Sequence, residues 1–158
     1  MIQRTLNGEQ AIWLEVNECH KGALALMDRH YSRKTPGADH MGGPGEKLIL
    51  ITPNNDAVFG WKRTKPQYRY DGLDGIECFI FRNEGPLLSS KLILLAEEWA
   101  HEKWPGALLF TYVQPKKIKS TNPGHCFIMA GWEKIGVSKT QKFVLLTKNG
   151  ESSTRTAR

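Results

Sequence analysis

Long apolar runs are missing from this chain. No stretch of its 158 residues approaches the ~20 apolar residues that span a bilayer, so no membrane partner is expected. The opening Met1-Ile2-Gln3-Arg4-Thr5 lacks the apolar core of a secretory signal. Cysteine is scarce. Cys19, Cys78 and Cys126 are odd in number and unpaired in spacing, which excludes a disulfide framework and fits a reducing, cytoplasmic setting. No internal repeat is visible, and residues 149–158 carry no large apolar side chain, so they are expected as a frayed tail behind a single domain, 1–148. Acidic residues are also few. Sixteen Asp and Glu face 22 Lys and Arg, giving a net charge of +6 and a pI near 9.3, which favours polyanionic partners.

The chain is long enough to bury roughly 70% of the surface its unfolded form exposes. Its basic residues are clustered. Lys62, Arg63, Lys65 and Arg69 sit among Trp61, Tyr68 and Tyr70, pairing phosphate-binding cations with rings on which bases can stack. Lys116, Lys117 and Lys119 form a second cluster. The same pattern also describes a solvated hairpin with aromatic anchors.

Periodicity predicts a first strand over Glu9–Asn17, then a helix over Cys19–Arg33 with Ala23, Leu26, Met27 and His30 at helical spacing. Pro36, Gly37, Gly42, Gly43, Pro44 and Gly45 require a loop, which can close over a substrate. Lys47–Thr52 and Ala57–Lys62 read as a hairpin turning at Pro53–Asp56, and Pro66–Gly75 as a surface excursion. Ile76–Phe81 is a central strand, Ser89–Trp104 a helix capped by Ser89 or Ser90, and Ala107–Val113 another strand. A basic loop over Pro115–Pro123, a short helix over Gly124–Lys134 and a strand over Lys142–Thr147 follow. This order makes an α/β (α+β) domain, a mixed sheet flanked by helices.

The polar candidates gather at the ends of these elements. His30-Tyr31-Ser32-Arg33 places an imidazole, a phenol, a hydroxyl and a guanidinium at a helix end beside the Gly-rich loop; the plainer reading is contact with terminal carbonyls. Ser89 and Ser90 open a helix whose unpaired N–H groups suit an anion, and they also read as simple caps. Arg82 pairs with a phosphate or carboxylate, or with Glu84 or Glu77. His125 opens the short helix next to Cys126. His30, His40, His125, Asp39 and Glu77 have ligand chemistry but no recognised ligand spacing, so no metal is expected.

The stretch Gly75–Thr147, with Arg82-Asn83-Glu84-Gly85, Ser89-Ser90 and Gly131-Trp132, resembles the GNAT superfamily of acyltransferases. His30–Arg33, the Ser-led helix and Gly124-His125 are similar to phage- and plasmid-borne members of the circle that includes the phage Mom proteins. That resemblance implies a GNAT-like mixed sheet and modification of DNA adenine to a carbamoylmethylated form. It implies catalytic roles for His30, Tyr31, Ser32 and Ser89, and a donor or cofactor site at Arg82, Asn83, Gly85, Ser89 and Ser90. Acceptor contacts would come from Arg33, Trp61, Lys62, Arg63, Tyr68, Tyr112 and His125, with DNA as partner, a homodimer as one assembly, and a phage-encoded protein in a bacterial host as one origin.

Two departures mark the chain. The family's acyl-CoA loop ends in Gly or Ala where this chain has Leu87; Pro86 removes a backbone donor, and Glu84 adds a negative charge, which weakens acyl-CoA as the cofactor. Phe127 stands where many members carry the Tyr that protonates the leaving thiolate, so either Tyr112, His125 or Ser89 replaces it or the chemistry is not thioester aminolysis. Three functions compete: a DNA-modifying transferase, a CoA-dependent N-acyltransferase for a small amine or protein, and a non-catalytic binding module on the same fold.

Overall fold

The computed structural model describes residues 12–30, 35–69, 71–114, 124–137 and 144–149. In chain order these form β1 (Leu14–Val16), α1 (Lys21–Asp28), β2 (Glu46–Ile51), β3 (Ala57–Arg63), β4 (Ile76–Asn83), α2 (Ser89–Lys103), β5 (Leu109–Val113), α3 (His125–Met129), β6 (Glu133–Val137) and β7 (Val144–Lys148). The expected tail lies outside the described residues, apart from Asn149.

Alternation in β2 and β3 creates two apolar faces. Leu48, Leu50, Ala57, Phe59 and Trp61 face α2, whose Leu92, Ile93, Ala96, Trp99 and Ala100 cover them. Ile49, Ile51 and Val58 face the other way, under Ala23, Leu26 and Met27 of α1. Burying such aliphatic and aromatic side chains contributes about 1.5–3 kcal/mol each. Two indoles add direction to the first face: Trp13 Nε1 donates to Leu92 O at 2.9 Å and Trp61 Nε1 to Ala96 O at 3.0 Å.

The strands form one sheet in the order β1-β2-β3-β4-β5-β7-β6. All neighbours are antiparallel except β4 and β5, which run parallel and meet at only two positions, Ile76↔Leu109 and Glu77↔Phe110. Thr111 Oγ1 donates to Cys78 O at 2.9 Å just past this pairing. From there β4 has no ladder partner on β5 among the described residues, and the sheet opens. On the α2 side Phe81 and Phe127 meet edge to face across 6.0 Å, and Phe127 packs on Trp132 at 4.9 Å. Phe127 is therefore a core residue.

β4 carries a bulge. Phe81 pairs with Phe59, Ile80 with Gly60 and Cys78 with Trp61, which leaves Phe79 as an extra residue. Ile76 and Cys78 consequently face α2, both Phe79 and Ile80 face α1, and Phe81 returns to the α2 side. Gly60 makes the room, since a Cβ there would lie 2.6 Å from the Phe79 ring and 2.7 Å from Ile80 Cγ2.

Three expectations need correction. The last helix ends at Met129, not Lys134, because Gly131 turns the chain at φ 96° and Glu133–Val137 forms an edge strand that the periodicity did not predict. Neither Ser89 nor Ser90 caps α2, whose N-cap is Leu88 with no side-chain cap bond. The Gly-rich loop is tied down rather than open: Met41 is buried among α1 residues, Lys62 Nζ bonds Gly42 O at 2.9 Å, and Lys47 Nζ bonds Gly43 O.

Overfilling the bulge has a defined cost. Gly60→Ala is expected to destabilise the fold by about 1–3 kcal/mol, the usual range for an added methyl group in a packed core. Urea unfolding measures it, and a variant as stable as the parent would show that the bulge does not depend on the missing side chain.

Candidate active site

Because the bulge shifts the alternation, Arg82 at the end of β4 points toward α1. There it meets Glu84 and Arg29, the residue that ends α1. Arg29 bonds both Glu84 oxygens, Nε at 2.8 Å and Nη2 at 2.9 Å, while Arg82 Nε reaches Glu84 Oε2 at 2.6 Å. Of the alternatives weighed for Arg82, the ion pair with Glu84 is the one formed. The two guanidiniums, Arg29 first, hold the Glu84 carboxyl down at about 2. His30 lies at the same corner. Burial, reinforced by the nearby Arg82 charge, lowers its pKa from 6.5 to about 4, so the imidazole is neutral at physiological pH.

Asn83, one residue on, turns the other way and organises the loop into α2. Its Nδ2 donates to Leu87 O at 2.7 Å and to Ser89 Oγ at 3.0 Å, and its Oδ1 accepts from Gly85 N at 3.0 Å. Asn83, Gly85 and Ser89 are thus brought together, with Ser90 in the first turn of α2. The first backbone positions of this loop offer no free donor. Glu84 N bonds Asp56 O at 2.7 Å, Gly85 N is taken by Asn83, and Pro86 has none. Gly85 is glycine for a packing reason, since a Cβ would lie 2.5 Å from Asp56 Oδ2 in the β2–β3 turn.

Tyr112 lies on β5 beyond its last pairing with β4. Its hydroxyl donates to Asp71 Oδ2 at 2.8 Å, and Asp71 is gripped by Arg69 through Nε and Nη2, both at 2.7 Å. Arg69 Nη1 reaches Glu77 at 2.9 Å, and its guanidinium lies 4.8 Å from the Phe110 ring centre. Arg69 holds the Asp71 carboxyl at about 2, whereas burial and the bond to Asp71 push Tyr112 up to about 12. Asp71 and Arg29 escaped sequence reasoning. The first lies in a polar turn with no periodicity; the second was signalled only by its place beside His30.

The basic hairpin is less open to a polyanion than its composition implies. Trp61 is fully buried beneath α2, stacked 6.2 Å from Trp132, so it offers no face to a base. Lys62 is tied to the Gly-rich loop, and Arg63 stands 3.6 Å from Asp74. Tyr68 remains 74% exposed, next to exposed Lys65 on the turn Pro66–Tyr68. His125 is exposed at the start of α3. Tyr31, Ser32, Arg33 and Tyr70 lie outside the described residues, as does the basic segment 115–123. Burial raises the thiol pKa of Cys78 and Cys126, keeping both protonated. Among the described residues no three His, Cys, Asp or Glu side chains gather as a metal centre, and no helix is long and apolar enough to cross a membrane.

No family model matches this chain, nor does any curated protein compared with it. Among solved structures it is similar to a protein of Bordetella pertussis assigned to the GnaT acetyltransferase family. The TM-score is 0.51 at 8% identity, over 93% of this chain and 98% of that one. At that identity the likeness speaks to the fold alone, and the fold is GNAT-like.

Two tests follow from this geometry. Asn83→Ala removes all three loop bonds, so the Gly85 amide should exchange with deuterium at least about tenfold faster while amides in the middle of α2 keep their protection. Unaltered Gly85 exchange would mean that the loop is held by something else. The second concerns pH. With its folded pKa below its unfolded value, His30 takes up its proton more readily in the unfolded chain, so stability is lost as pH falls from 6.5 toward about 4. His30→Gln should shrink the difference in urea-unfolding free energy between about pH 7 and about pH 4.5; an undiminished difference would contradict this burial effect.

Proposed function

We propose that this chain transfers a small acyl-type group to an amine that is already neutral when it arrives, and that this amine is the exocyclic amine of adenine in DNA. The observation that carries the transferase reading is the parting of β4 from β5 after Glu77 and Phe110, beside the pinned loop that enters α2. A donor laid in that opening lies beside Asn83 and Ser89.

The chemistry asked of the protein is modest. The amine nitrogen bonds to the electrophilic donor carbon, the leaving group departs with its electron pair, and the nitrogen sheds one proton. An alkylammonium acceptor must first be deprotonated by a base poised near neutral pH. Glu84 and Asp71 are held near 2, His30 near 4 and Tyr112 near 12, so none of these four exchanges a proton there. A nucleobase amine needs no such step: the proton its nitrogen sheds leaves with the departing group, which carries the electron pair, and the neutral His30 imidazole is left to orient the amine. Tyr68, Lys65 and Arg63 supply the exposed ring and cations for a flipped or single-stranded acceptor. The engaged amides of Glu84 and Gly85, with Pro86, argue against a CoA pyrophosphate held by this loop.

Mass spectrometry of nucleosides from DNA of cells expressing the protein tests this directly, beside His30→Ala and Ser89→Ala controls. A new adenosine-derived mass is expected only with the intact protein, and its increment identifies the transferred group. An unchanged profile with expression confirmed overturns the DNA reading. Stabilisation by acetyl-CoA in a melting assay would then point to an ordinary N-acyltransferase.

A further inference from the structure

We propose that Arg29 and Arg82 form an anion site at the end of β4, in which Glu84 occupies the place of a substrate phosphate or carboxylate and yields it when that substrate arrives. Two guanidiniums share this one carboxylate. Arg82 uses only Nε on Glu84, and among the described residues its two terminal nitrogens make no hydrogen bond. Asp28 adds negative charge beside Arg29, so Arg82 is the freer donor of the pair.

The arrangement is exposed enough to exchange. The side chains of Arg29, Arg82 and Glu84 are 50%, 32% and 31% exposed, and solvent-exposed ion pairs are weak. An incoming dianion offers more charge and a bidentate fit to the same guanidinium forks. Rotation about the side-chain bonds of Glu84 is enough to release both guanidiniums, with its backbone still bonded to Asp56. Glu84 N and Gly85 N are engaged and Pro86 has none, so the three residues that follow Asn83 offer an anion no free amide. Recognition of an anion at this corner therefore passes to side chains. Only the identity of the substrate rests on the transfer reading; the anion site stands without it.

Inorganic phosphate titrated at constant ionic strength, followed by amide chemical shifts, is the test. Glu84→Gln keeps the side chain's shape and removes the competing charge, so phosphate should bind about tenfold more tightly than to the parent. Adding Arg82→Gln should abolish that gain. No gain from Glu84→Gln, or a gain that survives loss of Arg82, overturns the proposal. Should Glu84→Gln not fold, Arg82→Gln alone must weaken phosphate binding, and unchanged affinity overturns it equally. Displacement of the phosphate by acetyl-CoA would assign the anion to the donor, and displacement by a single-stranded oligonucleotide would assign it to the acceptor. Phosphate binding needs no transfer, so its failure is separable from an unchanged nucleoside profile.

Discussion

One extra residue in β4 decides what stands at the corner of this protein. Without the bulge at Phe79, Arg82 would continue the face of Ile76 and Cys78 and point under α2, and Asn83 would point toward α1. With it, the two exchange sides. Arg82 meets Arg29 and His30, and Asn83 reaches back to Leu87 and Ser89. The bulge in turn requires Gly60, whose missing side chain lets Phe79 and Ile80 share one face. A glycine on one strand therefore sets the address of polar groups two and three positions beyond its partner Ile80 on the neighbouring strand.

The second constraint is the hairpin turn beneath that corner. Thr52 Oγ1 bonds Asp56 Oδ1 at 2.6 Å and accepts from Asp56 N and Ala57 N, which fixes the turn from inside. Asp56 then presents its carbonyl to Glu84 N and its carboxylate to Gly85. A glycine that resembles a phosphate-approach position thus serves a carboxylate of the same chain. The motif and its usual physical cause have come apart here, and only the contacts reveal it.

Much of the fold was legible in the chain. Leu48–Ile51, Ile76–Phe81 and the apolar stripe from Leu92 to Trp99 announced β2, β4 and α2 because burial on a regular period leaves a regular trace. β6 left none, since Glu133, Lys134, Ile135 and Val137 are all exposed and the strand is held by pairing with β7 rather than by burial. Trp61 was misread for the opposite reason. Its basic neighbours suggested a surface, yet the alternation Ala57, Phe59, Trp61 already placed it with the core. The charges of the hairpin were visible as a cluster, but their partners Asp71, Asp74 and Glu77 lie in or beyond an irregular turn whose path no period specifies.

That neutralisation changes what the net charge of +6 can mean. Arg69 is consumed by Asp71 and Glu77, Arg63 faces Asp74, and Lys62 is bound to a carbonyl, so little of the hairpin's charge is free to attract a distant polyanion. Recognition of a strand would then fall to short-range contacts at Tyr68 and Lys65 and to the guanidiniums around Glu84. Surfaces of that kind discriminate by fit more than by field. The same economy appears at Tyr112 and Asp71: burial and the bond to Asp71 hold Tyr112 far above neutral pH, and Arg69 above all holds Asp71 far below it. Groups so firmly committed to one protonation state are poor proton shuttles near neutral pH, and their hydrogen bonds fix geometry instead.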